Sequence, residues 1–205
     1  MTLIIIILSV GISLTAFYNK NISSKLTFNA YLIKENNEWY RFFSYGFIHA
    51  DFIHLLVNMY VLYNFGGYVE SYFHLYFGVK AYFYFFLLYF GGLAISVVSD
   101  YARHQKDFFY NAVGASGAVS ALVFSGFIFD PTQRIMIFLI PFPMPAIVFG
   151  ILYLGYSAFM AKKKMDNIGH SAHFWGAIFG AVFTVALKPS LLILFVKSII
   201  YLLHG

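Results

Sequence analysis

Six stretches of this chain stay apolar for close to the length a helix needs to cross a bilayer: Thr2 to Tyr18, Phe47 to Val69, Lys80 to Ser99, Ala112 to Phe129, Pro145 to Met160 and His170 to Leu187. A crossing takes about 20 such residues, and lipid offers no partner to backbone polar groups, so each stretch must be helical. Six crossings leave both chain ends on one side. A seventh run, Ser190 to Leu203, follows Lys188-Pro189 and is interrupted by Lys197. It is short for a crossing and reads as a helix lying in the interface. The expected architecture is an all-α integral membrane protein, with a six-helix membrane domain over residues 1–188 and an apolar interfacial helix over 189–205.

Composition supports lipid as the main solvent, because 61% of the 205 residues are hydrophobic and only 10% charged. The net charge of +5 comes from Lys and Arg scattered over short loops rather than gathered on one face, which argues against a nucleic-acid partner. The absence of cysteine excludes disulfides and thiolate metal sites. Tyr and Trp belts at the interfaces and Phe facing lipid account for most of the aromatic residues, and no cofactor box is expected. Met1 to Tyr18 lacks a basic leader and a small-residue cleavage pattern, so it reads as a retained span.

The connections differ in character. The first, Asn19 to Gly46, is long, polar and aromatic, and a loop of that length usually has work to do. The segment Asp130 to Met144 holds Pro131, Pro141 and Pro143, which break helices and suit a chain running near the interface. Lys162-Lys163-Lys164 reads as a solvated loop.

In an antiparallel serpentine, helices two, four and six all begin at the same membrane face. His54 and Asn58 lie near the start of the second stretch, Ser116 near the start of the fourth and His173 near the start of the sixth. All four therefore share one depth. At ~1.5 Å per residue, Ser116 and His173 lie about one turn below the surface, within reach of water through a cavity.

Serine with histidine is the minimum equipment for nucleophilic acyl transfer. Ser116 stands in Gly114-Ala115-Ser116-Gly117-Ala118, where a helix start supplies unspent amide hydrogens and a favourable dipole for an oxyanion. Read alone, the same run favours close helix packing. A histidine within a span is costly and usually marks function. His173 shares a face with Gly176 and Gly180, which would let the sixth helix approach the fourth and bring the imidazole within ~3 Å of the Ser116 hydroxyl. His170, one turn earlier, is the competitor and is expected at the water interface. His54 and Asn58 project from one face at i, i+4, just after His49 and Asp51, and carry donors suited to an oxyanion. Imidazoles from His49, His54, His170 and His173 would also suit zinc, although no His-Glu-x-x-His and no adjacent carboxylate accompany them.

Together, His54-Leu55-Leu56-Val57-Asn58-Met59, Gly114-Ala115-Ser116-Gly117 and Ala172-His173 with Gly176 and Gly180 resemble the rhomboid intramembrane serine proteases, in that order and over essentially the whole chain. The resemblance implies a six-helix rhomboid-like bundle, Ser116 as nucleophile, His173 as general base and acid, and His54, Asn58 and the Ser116 amide as oxyanion hole. It implies transmembrane protein substrates, no cofactor and no metal. Glu70 resembles an acid that braces helices in the family. The expected location is multi-pass, in a bacterial cytoplasmic membrane. A catalytically silent chaperone or dislocation factor on the same scaffold is the alternative, though such relatives typically lack the nucleophile or the base. A transporter would instead place charge at mid-membrane.

Two departures stand out. Trp39-Tyr40-Arg41 separates a Trp and Arg that are often adjacent in the family. Ser120 occupies the place, four residues after the nucleophile, where several members carry an aromatic ring against the histidine, so here the ring must be positioned otherwise. Nine of the 13 Lys and Arg fall in loops one, three and five. The positive-inside rule would turn that face to the cytoplasm, whereas the family places it outside. Charges on long loops count less, and the outside orientation is the one expected here.

Overall fold

The computed structural model describes residues 1–137, 140–163 and 169–204; Lys164 of the lysine triplet lies outside them. It is mostly helical: α1 (Thr2–Tyr18), α2 (Lys20–Leu26), α3 (Ala30–Asn36), α4 (Arg41–Ser44), α5 (Phe52–Val61), a π turn (Leu62–Gly66), α6 (Gly67–Phe77), α7 (Ala81–Ser96), α8 (Val98–His104) and α9 (Ser116–Phe129). Strands β1 (Arg134–Ile137) and β2 (Ile140–Pro145) follow, then α10 (Ala146–Lys163), α11 (His170–Leu187) and α12 (Ser190–His204). Among the described residues, three helical runs are by length and composition able to cross a membrane: Phe52–His104, Ala146–Lys163 and His170–Leu187. Thr2–Tyr18, Ser116–Phe129 and Ser190–Leu202 are shorter apolar helices.

Large apolar side chains cover the outside of the bundle, and inside it small hydroxyl residues are set among an apolar core. Leu3, Ile4, Ile7 and Leu8 of α1 are exposed, while Thr2, Ile5, Ser9, Ser13 and Ala16 at helical spacing are buried. Ser96, Ser120, Ser125, Ser157 and Thr184 are buried as well. Small hydroxyl residues inside and large aliphatics outside is the arrangement a lipid solvent selects.

At the centre stands α9, buried continuously from Gly117 to Ile128. A helix apolar on every side needs neighbours on every side, and α11, α7, α6, α10 and α12 supply them. On α11, a Cβ at Gly176 would run into the Gly117 carbonyl, and one at Gly180 into the Ala121 carbonyl. On α7, a Cβ at Gly92 would come within 3.0 Å of the Ala118 Cα. The hydroxyls of Thr184 and Ser125, 2.7 Å apart, close the lower part of the α9–α11 seam.

Several boundaries differ from expectation. The second apolar stretch begins as helix only at Phe52, because the Asp51 carboxylate accepts the His54 amide at 2.7 Å and caps α5. It then runs on through α6 to Phe77, where Gly78 with φ +54 ends it. Glu70 on α6 accepts the Thr2 amide (3.1 Å) and hydroxyl (2.7 Å), fastening α6 to the start of α1. The third stretch ends at Ser96 and is followed by the separate α8. The fold is not purely α, since β1 and β2 pair antiparallel with Ile135 opposite Met144 and Arg134 opposite Pro145. Pro141, Pro143 and Pro145 alternate along β2, so the missing amide of each falls on the edge away from β1, the position a strand tolerates.

The long first loop is built rather than slack. Phe28 and Ala112 exchange backbone hydrogen bonds at 3.0 and 3.1 Å, and the Asn29 amide donates to the Phe108 carbonyl at 2.8 Å. Arg41, buried despite its charge, donates to the carbonyls of Ser24 (2.8 Å) and Thr27 (2.6 Å) and pairs with Glu38. Burial alone would raise the Glu38 carboxyl, but hydrogen bonds from Asn36, Arg41 and Tyr40, with the Arg41 charge, outweigh it and hold the group below its ordinary value. Trp39 stacks on Phe42, so the residue inserted between Trp39 and Arg41 leaves both side chains anchored.

Candidate active site

Ser116 is the first residue of α9 and is half-buried. The chain reaches it through Gly114, whose φ of +111 is a conformation that favours glycine. Two bonds fix this approach: the Gly114 amide donates to the Tyr45 carbonyl at 2.9 Å, and the Ala115 amide donates to His49 Nε2 at 3.4 Å. The first hydrogen bond of the helix is Val119 to Ala115, so the helical ladder makes no use of the amides of Ser116, Gly117 and Ala118. These donors, at the positive end of the helix dipole, suit a developing oxyanion.

His173 lies in the first turn of α11. The register of the seam sets it level with the serine, because Gly176 packs on Gly117 and the Ala172 carbonyl lies 3.4 Å from where a Gly117 Cβ would stand. Neighbours of the two residues thus touch, with no helix between them. Arg103 on α8 donates to the Ser171 hydroxyl at 2.8 Å and to Asp100 at 3.0 Å, holding the start of α11.

His54 is placed directly over the approach to Ser116, since a Cβ on Gly114 would come within 2.6 Å of the His54 Cε1. Its Nδ1 accepts the Ala50 amide at 3.4 Å, which leaves the ring proton on Nε2 as a donor. Asn58 is buried, and one of its two amide hydrogens goes to the His54 carbonyl at 2.9 Å.

His49, grouped by sequence with possible metal ligands, serves a different end. Its Nε2 accepts from Ala115, so Nδ1 carries the proton and gives it to the Ser13 hydroxyl (3.0 Å), which donates in turn to the Phe47 carbonyl (2.9 Å). This relay holds the loop before Ser116 to α1. Among the described residues no three His, Asp or Glu side chains gather as a metal site. His170 is buried against Tyr156 and His173 rather than at an open surface, because α10 covers it.

Sequence reasoning missed Tyr153 on α10. Its ring stacks on His173 with centroids 6.2 Å apart and planes 22° apart, and its hydroxyl lies 2.8 Å from that of Ser120. The serine found where an aromatic was expected therefore marks a ring delivered from another helix. Ser120 was the only local signal, and it named no partner.

A rhomboid domain profile matches residues 36–190, the greater part of the chain. The chain belongs to the rhomboid family. This rhomboid is also similar to RHOMBOID-like protein 12, mitochondrial, of Arabidopsis thaliana, at 29% identity over 146 residues. That match covers 67% of this rhomboid and 43% of the relative, so the chain spans less than half the length of that protein.

Proposed function

We propose that this rhomboid is an intramembrane serine endopeptidase that cleaves membrane proteins in or near their transmembrane segments. The observation that carries this reading is the α9–α11 seam, whose glycine contacts set the helix starts bearing Ser116 and His173 side by side. The Ser116 oxygen attacks the scissile carbonyl carbon and its proton passes to His173. The oxyanion rests on the Ser116 amide, His54 Nε2 and Asn58 Nδ2. Collapse breaks the C–N bond while His173 protonates the leaving amine, and water then hydrolyses the acyl-enzyme with the same imidazole as base. Serine, imidazole and water suffice, and no cofactor or metal enters.

The substrate is a transmembrane helix that unwinds locally, because a fully bonded helix does not expose its carbonyl carbons, and unwinding is tolerable only where protein or cavity water serves the freed groups. We read the membrane domain as six spans over residues 1–188, with α1 and α9 as the short ones and 189–205 as an interfacial helix. The bilayer is read as a bacterial cytoplasmic membrane, with loops one, three and five outside.

The test is cleavage of a single-span reporter protein in proteoliposomes, with labelling by a fluorophosphonate. Wild type should cleave and label; Ser116→Ala and His173→Ala should do neither. Cleavage retained by Ser116→Ala excludes the mechanism, and a folded wild type that neither cleaves nor labels favours a chaperone or dislocation role.

A further inference from the structure

We propose that Tyr153, tethered by Ser120, is the positioning residue of His173, so that the helix bearing the nucleophile also sets the plane of the base. The inference rests on the protease reading above and adds to it two residues outside the dyad and the oxyanion hole.

A histidine side chain turns about two bonds, and its second torsion is broad. A general base must nevertheless keep one ring nitrogen within hydrogen-bond reach of the nucleophile. Contact against the face of the imidazole restrains the torsion that hydrogen bonds at its edge leave loose, and Tyr153 makes that contact at an interplanar angle of 22°. The tyrosine is itself fixed on several sides. Phe124 of α9 lies 5.8 Å away centroid to centroid and Phe149 of α10 5.6 Å away, while the hydroxyl reaches Ser120 at 2.8 Å.

The connection closes on itself. Ser120 is one helical turn after Ser116 and on the same face of α9. The path runs from Ser116 to Ser120 along α9, across to Tyr153 on α10, and from there to His173 on α11, which packs back on α9 at Gly117. Residues of three helices are thus linked in the support of one imidazole. Ser120 is buried and its hydroxyl meets that of Tyr153 at 2.8 Å, so the small side chain at position 120 leaves room for a ring supplied by α10.

Steady-state cleavage of the single-span reporter in proteoliposomes, measured across pH, separates positioning from mere packing. Tyr153→Ala should lower kcat about 10²-fold, the cost of a small misplacement of a reacting group, with KM changed less than about twofold. The pH midpoint of kcat should move, because the base has lost the ring against its face. Tyr153→Phe and Ser120→Ala each cut only the tether, and each should cost about tenfold in kcat, with the double variant no worse than either single one. Placing the ring on α9 instead, by Ser120→Tyr in the Tyr153→Ala background, should restore about tenfold or more of the lost kcat.

Tyr153→Ala with wild-type kcat and pH midpoint, while Ser116→Ala is inactive, overturns this inference and leaves the protease reading standing. A Tyr153→Ala loss matched by lost folded protein, with neither a pH shift nor recovery on Ser120→Tyr, overturns it equally. Cleavage that survives Ser116→Ala removes the protease reading and this inference together.

Discussion

Gly114 shows how much a single residue carries here. Its backbone lies in a region costly for other residues, and the face where a side chain would project is occupied by the His54 ring. Gly114→Ala should therefore displace one oxyanion donor and lower kcat about 10²–10³-fold, and its strain should also lower the melting temperature in detergent, by about 1–3 kcal/mol of stability. Asn58→Ala removes one donor, together with its bond to the His54 carbonyl, so its loss should lie in kcat rather than KM. The sequence made Ser116, His173, His54 and Asn58 visible as candidates, because polar groups stand out in an apolar run. Tyr153 was not visible, since it is one tyrosine among 17 and its partner lies 33 residues away. His49 stood out without its use being legible, because a ring with both nitrogens engaged by protein is indistinguishable in sequence from a ligand.

At the scale of elements, the α9–α11 seam is set by glycines meeting carbonyls, with no slack for a methyl group. Gly180→Ala should push α11 away from Ala121 and lower stability by about 1–3 kcal/mol, the usual cost of overpacking, read as a lower melting temperature. It should also slow fluorophosphonate labelling, since the same shift carries His173 off its level. Loop one answers to pH. The Glu38 carboxyl is held below its unfolded value of 4.5, so its contribution to stability is complete above that pH and is lost as pH falls through the lower folded value. Wild type and Glu38→Gln should thus differ most in melting temperature near neutral pH and converge in acid; a difference that persists in acid would show that the Arg41 pairing contributes nothing. Hydropathy located α1 and α11 to the residue, because both are bounded by abrupt polar changes. It misplaced the start of α5, where a capping carboxylate decides, and it missed the β-hairpin, whose alternating prolines read as helix breakers but not as a protected edge.

For the molecule as a whole, the helix that bears Ser116 has only 14 residues, about 21 Å of length against a hydrocarbon thickness of about 30 Å. On the six-span reading proposed above, its serine end is recessed below one surface. In vesicles of uniform orientation, a charged, impermeant serine reagent should label Ser116 when added on the side of loops one, three and five, and not from the other side. Equal labelling from both sides would contradict that depth. The sleeve of neighbours around α9 carries the same point into pharmacology. Neighbouring helices sheathe α9 from Gly117 onward and leave Ser116 half-buried at its tip, so potency in a series of inhibitors should follow reach and polarity from the aqueous mouth, and not the oil–water partition coefficient.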